Sequence, residues 1–452
     1  MNMRRPATRL HRQTTAENPD NLWDTEPGQR HDKSRRTMLF RLRLILRRYR
    51  RIWLRILIVY AAFVLTWDTL GLVRAPSTQR VASSSYRPDR SERFFIASIH
   101  WNNEVILRSH WNHAVLDLVR YLGPEHTYVA VLESGSWDNS KGALRELEED
   151  LTSLNAPHAI VLEDTTHQDE LSRVPPIGEE GWVWTPRNQK ELRRIPYLAK
   201  LRNRVMDMMD LANDTDARPF TKVLWVNDVV FTVDDVRTLL STNGGDYAAA
   251  CSLDFSKPPL YYDTFALRDI SGEKPVMQTW PYFLSSKSRS ALISSQPVPV
   301  ESCWNGIVAL DAAPFLALRP PRFRGIPDTL AALHLEGSEC CLIHIDNPLS
   351  TTKGVWLNPL VRVGYNPDAY DIVKASANNP WPSFHARLTG LWYNRWARWT
   401  GAPRRVLERL TVRSRLKQWK ALSPADESRV ELGQHCLINE MQVLVHNGWK
   451  HV

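Results

Sequence analysis

Apolar positions along the chain fall into one long early stretch and then a series of short runs. Residues 56–73 (ILIVYAAFVLTWDTLGLV) are apolar but for Asp68. With residues 52–54 they are about long enough to cross ~30 Å of hydrocarbon at ~1.5 Å per residue. Trp53 and Trp67 stand where interface aromatics stand. Further on, residues 94–99 (FFIASI), 127–132 (TYVAVL), 158–162 and 222–226 (KVLWV) predict buried strands. Residues 105–121 place Val105, Ile106, Trp111, Val115, Leu118 and Val119 close to a helical stripe. Residues 140–154, 191–211 and 233–241 predict further helices, the last capped by Thr232 with Asp235 three positions on.

Strands alternating with helices at this spacing predict an α/β fold, a Rossmann-type and mostly parallel sheet. Such sheets bind ligands beyond the carboxyl ends of their strands. Three segments therefore draw attention: residues 100–104, 133–139 and 227–231. No G-x-G-x-x-G follows a strand, and there is no P-loop, G-x-S-x-G or H-E-x-x-H. Nicotinamide enzymes, P-loop ATPases, serine hydrolases and zinc proteases lose their main signatures.

Charge changes the picture once it is located. The net +9 belongs to two flanks. Residues 1–80 hold 17 Lys and Arg against six acids, and residues 381–420 hold ten against one. Residues 81–380 hold 29 against 38, so the body is acidic, which argues against a nucleic-acid partner. The basic run before residue 56 puts the N-terminus in the cytoplasm by the positive-inside rule, with the rest in a lumen. The chain thus divides into a disordered tail (1–37), a basic flank and transmembrane signal anchor (38–73), a stem (74–93), a catalytic body (94–375) and a basic, Trp-rich helical extension (376–452). In a lumen Cys251, Cys303, Cys340, Cys341 and Cys436 are free to pair, and the odd count leaves one over. Asn213 begins an N-x-T sequon. In the extension Trp392, Trp396 and Trp399 fall at i, i+4, i+7 among arginines, a face that suits either a membrane surface or packing on the body.

Several clusters suit chemistry. Asn227-Asp228 ends the strand 222–226, where a carboxylate can hold Mg²⁺ or Mn²⁺ on a diphosphate, although an Asp that opens a turn fits as well. Glu133, Ser136 and Asp138 lie on a Gly-loosened loop able to hold a base or ribose, or simply to cap a helix. Arg202, on a helix, suits a phosphate or a solvated face. Residues 334–347 (HLEGSECCLIHIDN) read as a strand with His344 and Asp346 on one face. His344 is then either a second metal ligand or a core histidine. Trp304 and Asn305, in ESCWNG, suit an acceptor sugar or the core.

Nine segments in order resemble the fungal cryptococcal mannosyltransferase and capsule-associated protein family, glycosyltransferase family 69. They are FFIASIHWNNE (94–104), LESGSWDNSKGAL (132–144), IPYLAKLRNRV (195–205), LWVNDVVFT (224–232), AAACSLDF (248–255), YYDTFALRD (261–269), ESCWNG (301–306), FRGI (323–326) and HLEGSECCLIH (334–344). The resemblance implies a GT-A-like nucleotide-sugar domain in a single-pass type II Golgi or secretory-pathway membrane protein. It implies α-1,3 transfer of mannose from GDP-mannose to a glycan acceptor, with retention of configuration and a Mn²⁺ or Mg²⁺ ion. The usual D-x-D is Asn227-Asp228-Val229 here, with only the middle acid. On this reading Asp228 and His344 hold the metal, and Asp228 and Glu336 serve catalysis. Asn103, Glu133, Ser136, Asp138 and Arg202 contact the donor, and Trp304 and Asn305 the acceptor. A membrane-anchored glycan-binding or scaffold protein that keeps the fold is the alternative.

Overall fold

The structure is a computed structural model that describes residues 28–74, 86–89, 91–214, 218–374, 381–424 and 428–452, the side chains of residues 28–46, 74, 213 and 214 apart. The chain divides into two compact units, Met1–Trp67 and Asp68–Val452. The first is helical from Gly28 onward, so residues 28–37, expected in a disordered tail, are helix; residues 1–27 lie outside the described residues. The stretch Arg47–Val73 is long and apolar enough to cross a membrane, by length and composition. The side chains of the Asn213 sequon lie outside the described residues.

The second unit is built on a ten-stranded sheet. Numbered along the chain, its strands are β1 (Phe94–His100), β2 (Thr127–Ser134), β3 (His158–Glu163), β4 (Lys222–Val226), β5 (Ala249–Lys257), β6 (Leu260–Tyr261), β7 (Arg268–Asp269), β8 (Val298–Ser302), β9 (Ile307–Asp311) and β10 (Val355–Gly364). The order is β3-β2-β1-β4-β9-β5-β10-β8-β7, with β6 beside β5. Strands β3, β2, β1 and β4 are parallel, as the alternation predicts. Strand β9 then runs antiparallel between β4 and β5, and β10 is parallel to β5. β1, β2 and β4 carry almost continuous apolar residues because both faces are covered. One face packs on the helix Arg194–Asp214, through Val205, Met206 and Met209. The other packs on Asn112–Leu122, Ser140–Ser153 and Val233–Leu240.

Helix boundaries follow local chemistry. Arg194–Asp214 starts later than expected because Lys190–Leu192 pairs as a strand with Trp182–Trp184. Pro196 sits in its first turn, where a missing N–H costs nothing. Thr232 and Asp235 form the expected capping box. The run expected as a strand at 334–347 is instead the helix Glu339–Asp346, started by Ser338, whose side chain accepts from the Cys340 N–H. His344 and Asp346 therefore share no strand face. Only Glu336–Gly337 is extended, pairing with Leu437–Ile438.

Two disulfides form, Cys251–Cys303 and Cys341–Cys436, and Cys340 stays free and buried. The second ties the segment after residue 376 to the rest. That segment holds the helices Phe384–Thr400 and Ala402–Ala421 and a hairpin, Gln442–Val445 with Gly448–His451, and it belongs to the same compact unit.

Candidate active site

Three loops meet at the carboxyl ends of β1, β2 and β4. After β1, Asn102 takes a left-handed conformation (φ 53°) and its N–H donates to Ser136 Oγ at 2.8 Å. Asn102 Oδ1 accepts from the Trp137 N–H at 2.8 Å, and Asp138 accepts from the Glu104 N–H at 2.9 Å. Ser136 and Asp138 thus latch the first two loops together. Glu133 is buried at the end of β2, and one of its carboxylate oxygens accepts from the Ser136 N–H. The other makes no hydrogen bond, with Lys141 Nζ 3.9 Å away. Gly135 (φ 65°) must lack a side chain, since a Cβ there would lie 2.1 Å from the Thr165 carbonyl oxygen.

Asp228 follows β4. Asn103 Nδ2 donates to its Oδ2 at 2.9 Å, while Asn103 Oδ1 accepts from the Trp101 N–H at 2.9 Å. Asn227 is fixed beside it. Its N–H donates to the Gly306 carbonyl at 2.9 Å, its Oδ1 accepts from Trp304 Nε1 at 3.3 Å, and its carbonyl accepts from Trp111 Nε1 at 3.0 Å. Gly306 (φ 87°) has no room for a Cβ, which would meet Val363 Cγ2 at 2.4 Å. Burial pushes the Asp228 carboxyl up to about 6.

Two more carboxylates gather here. Asp254, near the end of β5, accepts from Tyr365 Oη at 3.0 Å and from the Asp263 N–H at 3.2 Å. Burial, then the charge of Asp263, push it up to about 7. Burial also raises Asp263, whose Oδ1 accepts from the N–H groups of Phe265 and Ala266 at 3.1 and 3.0 Å. Tyr262 and Tyr365 feel the charges of all three acids, and their rings lie 4.6 Å apart. Among the described residues no Lys or Arg forms an ion pair with Asp228, Asp254 or Asp263.

The other candidates lie elsewhere or deeper. Arg202 is buried among the rings of Trp304, Trp225 and Phe323, 4.6, 5.2 and 5.8 Å from their centroids, and its Nε donates to Glu339 at 3.2 Å. Trp304 and Asn305 are buried too. Trp304 presents no open face to a sugar, and Asn305 Nδ2 donates to Tyr261 Oη. Glu336 is held by Arg193 in a fully buried pair, with Oε1 and Oε2 at 2.5 and 3.2 Å from the guanidinium. His344 lies against the Cys251–Cys303 disulfide, its Nε2 2.7 Å from the Cys303 carbonyl oxygen, and burial lowers it to about 4. No hydrogen bond joins His344 to Asp228 among the described residues. The two clusters with metal-ligand spacing among those residues, Cys251-Cys303-His344 and Cys341-His435-Cys436, both spend their sulfurs in disulfides, so neither offers a thiolate.

The loops that meet Asp228 are the quoted HWNNE, ESGSWD and VNDVV segments. The family described as Cryptococcal mannosyltransferase 1 matches residues 93–346, more than half of the chain. The chain belongs to this family. It is 28% identical over 273 residues to the alpha-1,3-mannosyltransferase CMT1 of Cryptococcus neoformans var. neoformans serotype D (strain JEC21 / ATCC MYA-565), covering 57% of this chain and 54% of that protein. The chain therefore spans about half of that relative's length. Among solved structures it is similar to the mannosyltransferase PcManGT from Pyrobaculum calidifontis in complex with GDP-Man and Mn²⁺, at 13% identity and a TM-score of 0.33, over 80% of this chain and 87% of the other. GalNAc-T7 with UDP, GalNAc and Mn²⁺ is similar at 12% identity and a TM-score of 0.33, over 60% of this chain and 42% of the other. The family match takes in Asn103, Asp228, Asp254 and Asp263.

Proposed function

We propose that the chain is a retaining α-1,3-mannosyltransferase that takes GDP-mannose and a glycan acceptor, with a divalent cation at Asp228. The observation that carries this reading is the Asp228 carboxylate at the carboxyl end of β4, buried, oriented by Asn103 and without an ion-paired Lys or Arg among the described residues. Membership of the mannosyltransferase family and the name of the curated relative supply the sugar and the linkage. Mn²⁺ or Mg²⁺ fits the donor set, because a carboxylate is a hard oxygen ligand and such ions are commonly bound by one or two carboxylates with the substrate's phosphates. When bound, the ion supplies positive charge to the leaving diphosphate.

The chain's own residues do the remaining work. Asn103 orients Asp228, and the latch through Ser136 and Asp138 shapes the loop beside it. The Glu133 oxygen that makes no hydrogen bond is an acceptor for a donor hydroxyl. Arg202 acts from below, by stacking on Trp304 and so steadying Asn227, and Glu336 is structural. The enzyme is a single-pass type II protein of the Golgi or another secretory membrane. Its apolar helix and its two disulfides, which persist in an oxidising lumen, support that placement. Calorimetric titration of GDP-mannose into the full chain with and without Mn²⁺ tests the reading. Saturable binding that disappears on chelation is expected. Equal binding in excess EDTA would contradict it, and no binding of any nucleotide sugar would favour the scaffold alternative.

A further inference from the structure

The helix Phe384–Thr400 has one face committed to the body and one without a partner among the described residues. On the committed side Gly390 and Asn394 are buried, and a Cβ at Gly390 would lie 2.2 Å from the Trp280 carbonyl oxygen. On the other side Tyr393, Trp396 and Trp399 are 66%, 66% and 64% exposed. Three large aromatics left in water on one helix face are costly unless another phase covers them. The helix that follows, Ala402–Ala421, carries exposed Arg404, Arg413 and Lys417, so the surroundings are cationic.

The same helix touches the start of its compact unit. Arg395 holds Asp68 through both carboxylate oxygens, Nη2 to Oδ1 at 2.8 Å. Asp68 lies in the last turns of the apolar stretch Arg47–Val73. An unpaired carboxylate there is costly next to hydrocarbon, and the guanidinium neutralises it. The pair therefore sets the aromatic helix beside the end of the apolar stretch, where Trp and Tyr are enriched at the membrane–water boundary.

We propose that the exposed face of Phe384–Thr400 lies on an anionic lipid bilayer, with Tyr393, Trp396 and Trp399 at headgroup level and the nearby cations among lipid phosphates. This rests on the reading of Arg47–Val73 as a membrane span.

The test uses the full chain reconstituted in vesicles containing phosphatidylserine. A nitroxide is attached to a single introduced cysteine in Trp396→Cys, Phe63→Cys or Leu318→Cys. Phe63 lies in the apolar stretch, and Leu318 is an exposed loop position at 99%. Collision rates with oxygen and with a water-soluble nickel chelate are measured for each. The expected result is an oxygen-to-nickel ratio at 396 several-fold above that at 318, with 63 higher still. A high ratio at 63 with 396 equal to 318 overturns the docking and leaves the anchor standing. Low ratios at both 63 and 396 overturn the anchor and the docking together. Exclusion of both reagents from 396 also overturns the docking, since it would mean a protein partner covers the face.

Discussion

At the residue scale the informative contrast is between acids that are neutralised and acids that are not. Glu336 faces Arg193 with both side chains fully buried. Glu336→Gln would leave that guanidinium half-paired, and a loss of ~3–5 kcal/mol in denaturant unfolding is expected, with activity per folded molecule unchanged. A fall in activity of the folded fraction would instead make Glu336 a catalytic group. Asp228 behaves oppositely. Its carboxyl titrates near 6 in the fold against 3.8 ordinarily, so the unfolded chain loses this proton first. Its contribution to stability therefore falls as pH rises through that window and levels off above it. Asp228→Asn should keep the fold, flatten that part of the stability–pH curve and not lower the melting temperature at pH 7. Because the proton competes with a cation, Mn²⁺ affinity of the wild type should drop as pH falls below about 6. Affinity flat from pH 5 to 8 would separate Asp228 from the metal.

At the element scale the strands β1 to β4 and the helices between them were legible because each apolar run is bounded by polar turns and each helix shows its own period or cap. The helix Glu339–Asp346 was not. Its run CLIHI is short and apolar throughout, so periodicity cannot separate strand from helix. The Ser338 cap was the available signal. Asn103, Ser136, Asp138 and Asp228 were proposed for the site because each follows a strand, and Glu133 because it lies at the end of one. Asp254 and Asp263 meet each other from β5 and the loop after β6, and no local pattern in the sequence announces that meeting. Arg202 read as a phosphate ligand or a solvated face, yet it is buried against Trp304, for which the core was one of the two sequence readings. The helix Phe384–Thr400 offers a packing test. Gly390→Ala would force a Cβ against the Trp280 carbonyl, and a loss of ~1–3 kcal/mol by chemical denaturation is expected. An unchanged midpoint would show that this helix does not seat on the body as described.

At the scale of the whole molecule, charge and covalent links bear on the proposed anchoring in an oxidising lumen. The Cys341–Cys436 bridge closes a loop with a sequence separation of 95. Its reduction should cost ~2–4 kcal/mol, read as a lower melting temperature in dithiothreitol. In sealed microsomes, residues 94–452 should resist protease added outside; digestion would reverse the proposed orientation. Asp228 is proposed to hold the cation on which mannose transfer depends. This is tested most directly by measuring mannose transfer from GDP-mannose to a mannoside acceptor in Mn²⁺, with wild type beside Asp228→Asn, both verified folded by circular dichroism. Transfer by the wild type that chelation abolishes is expected, with a loss on the order of 100-fold or more in the variant. A folded Asp228→Asn that retains near-full, metal-dependent transfer would contradict it.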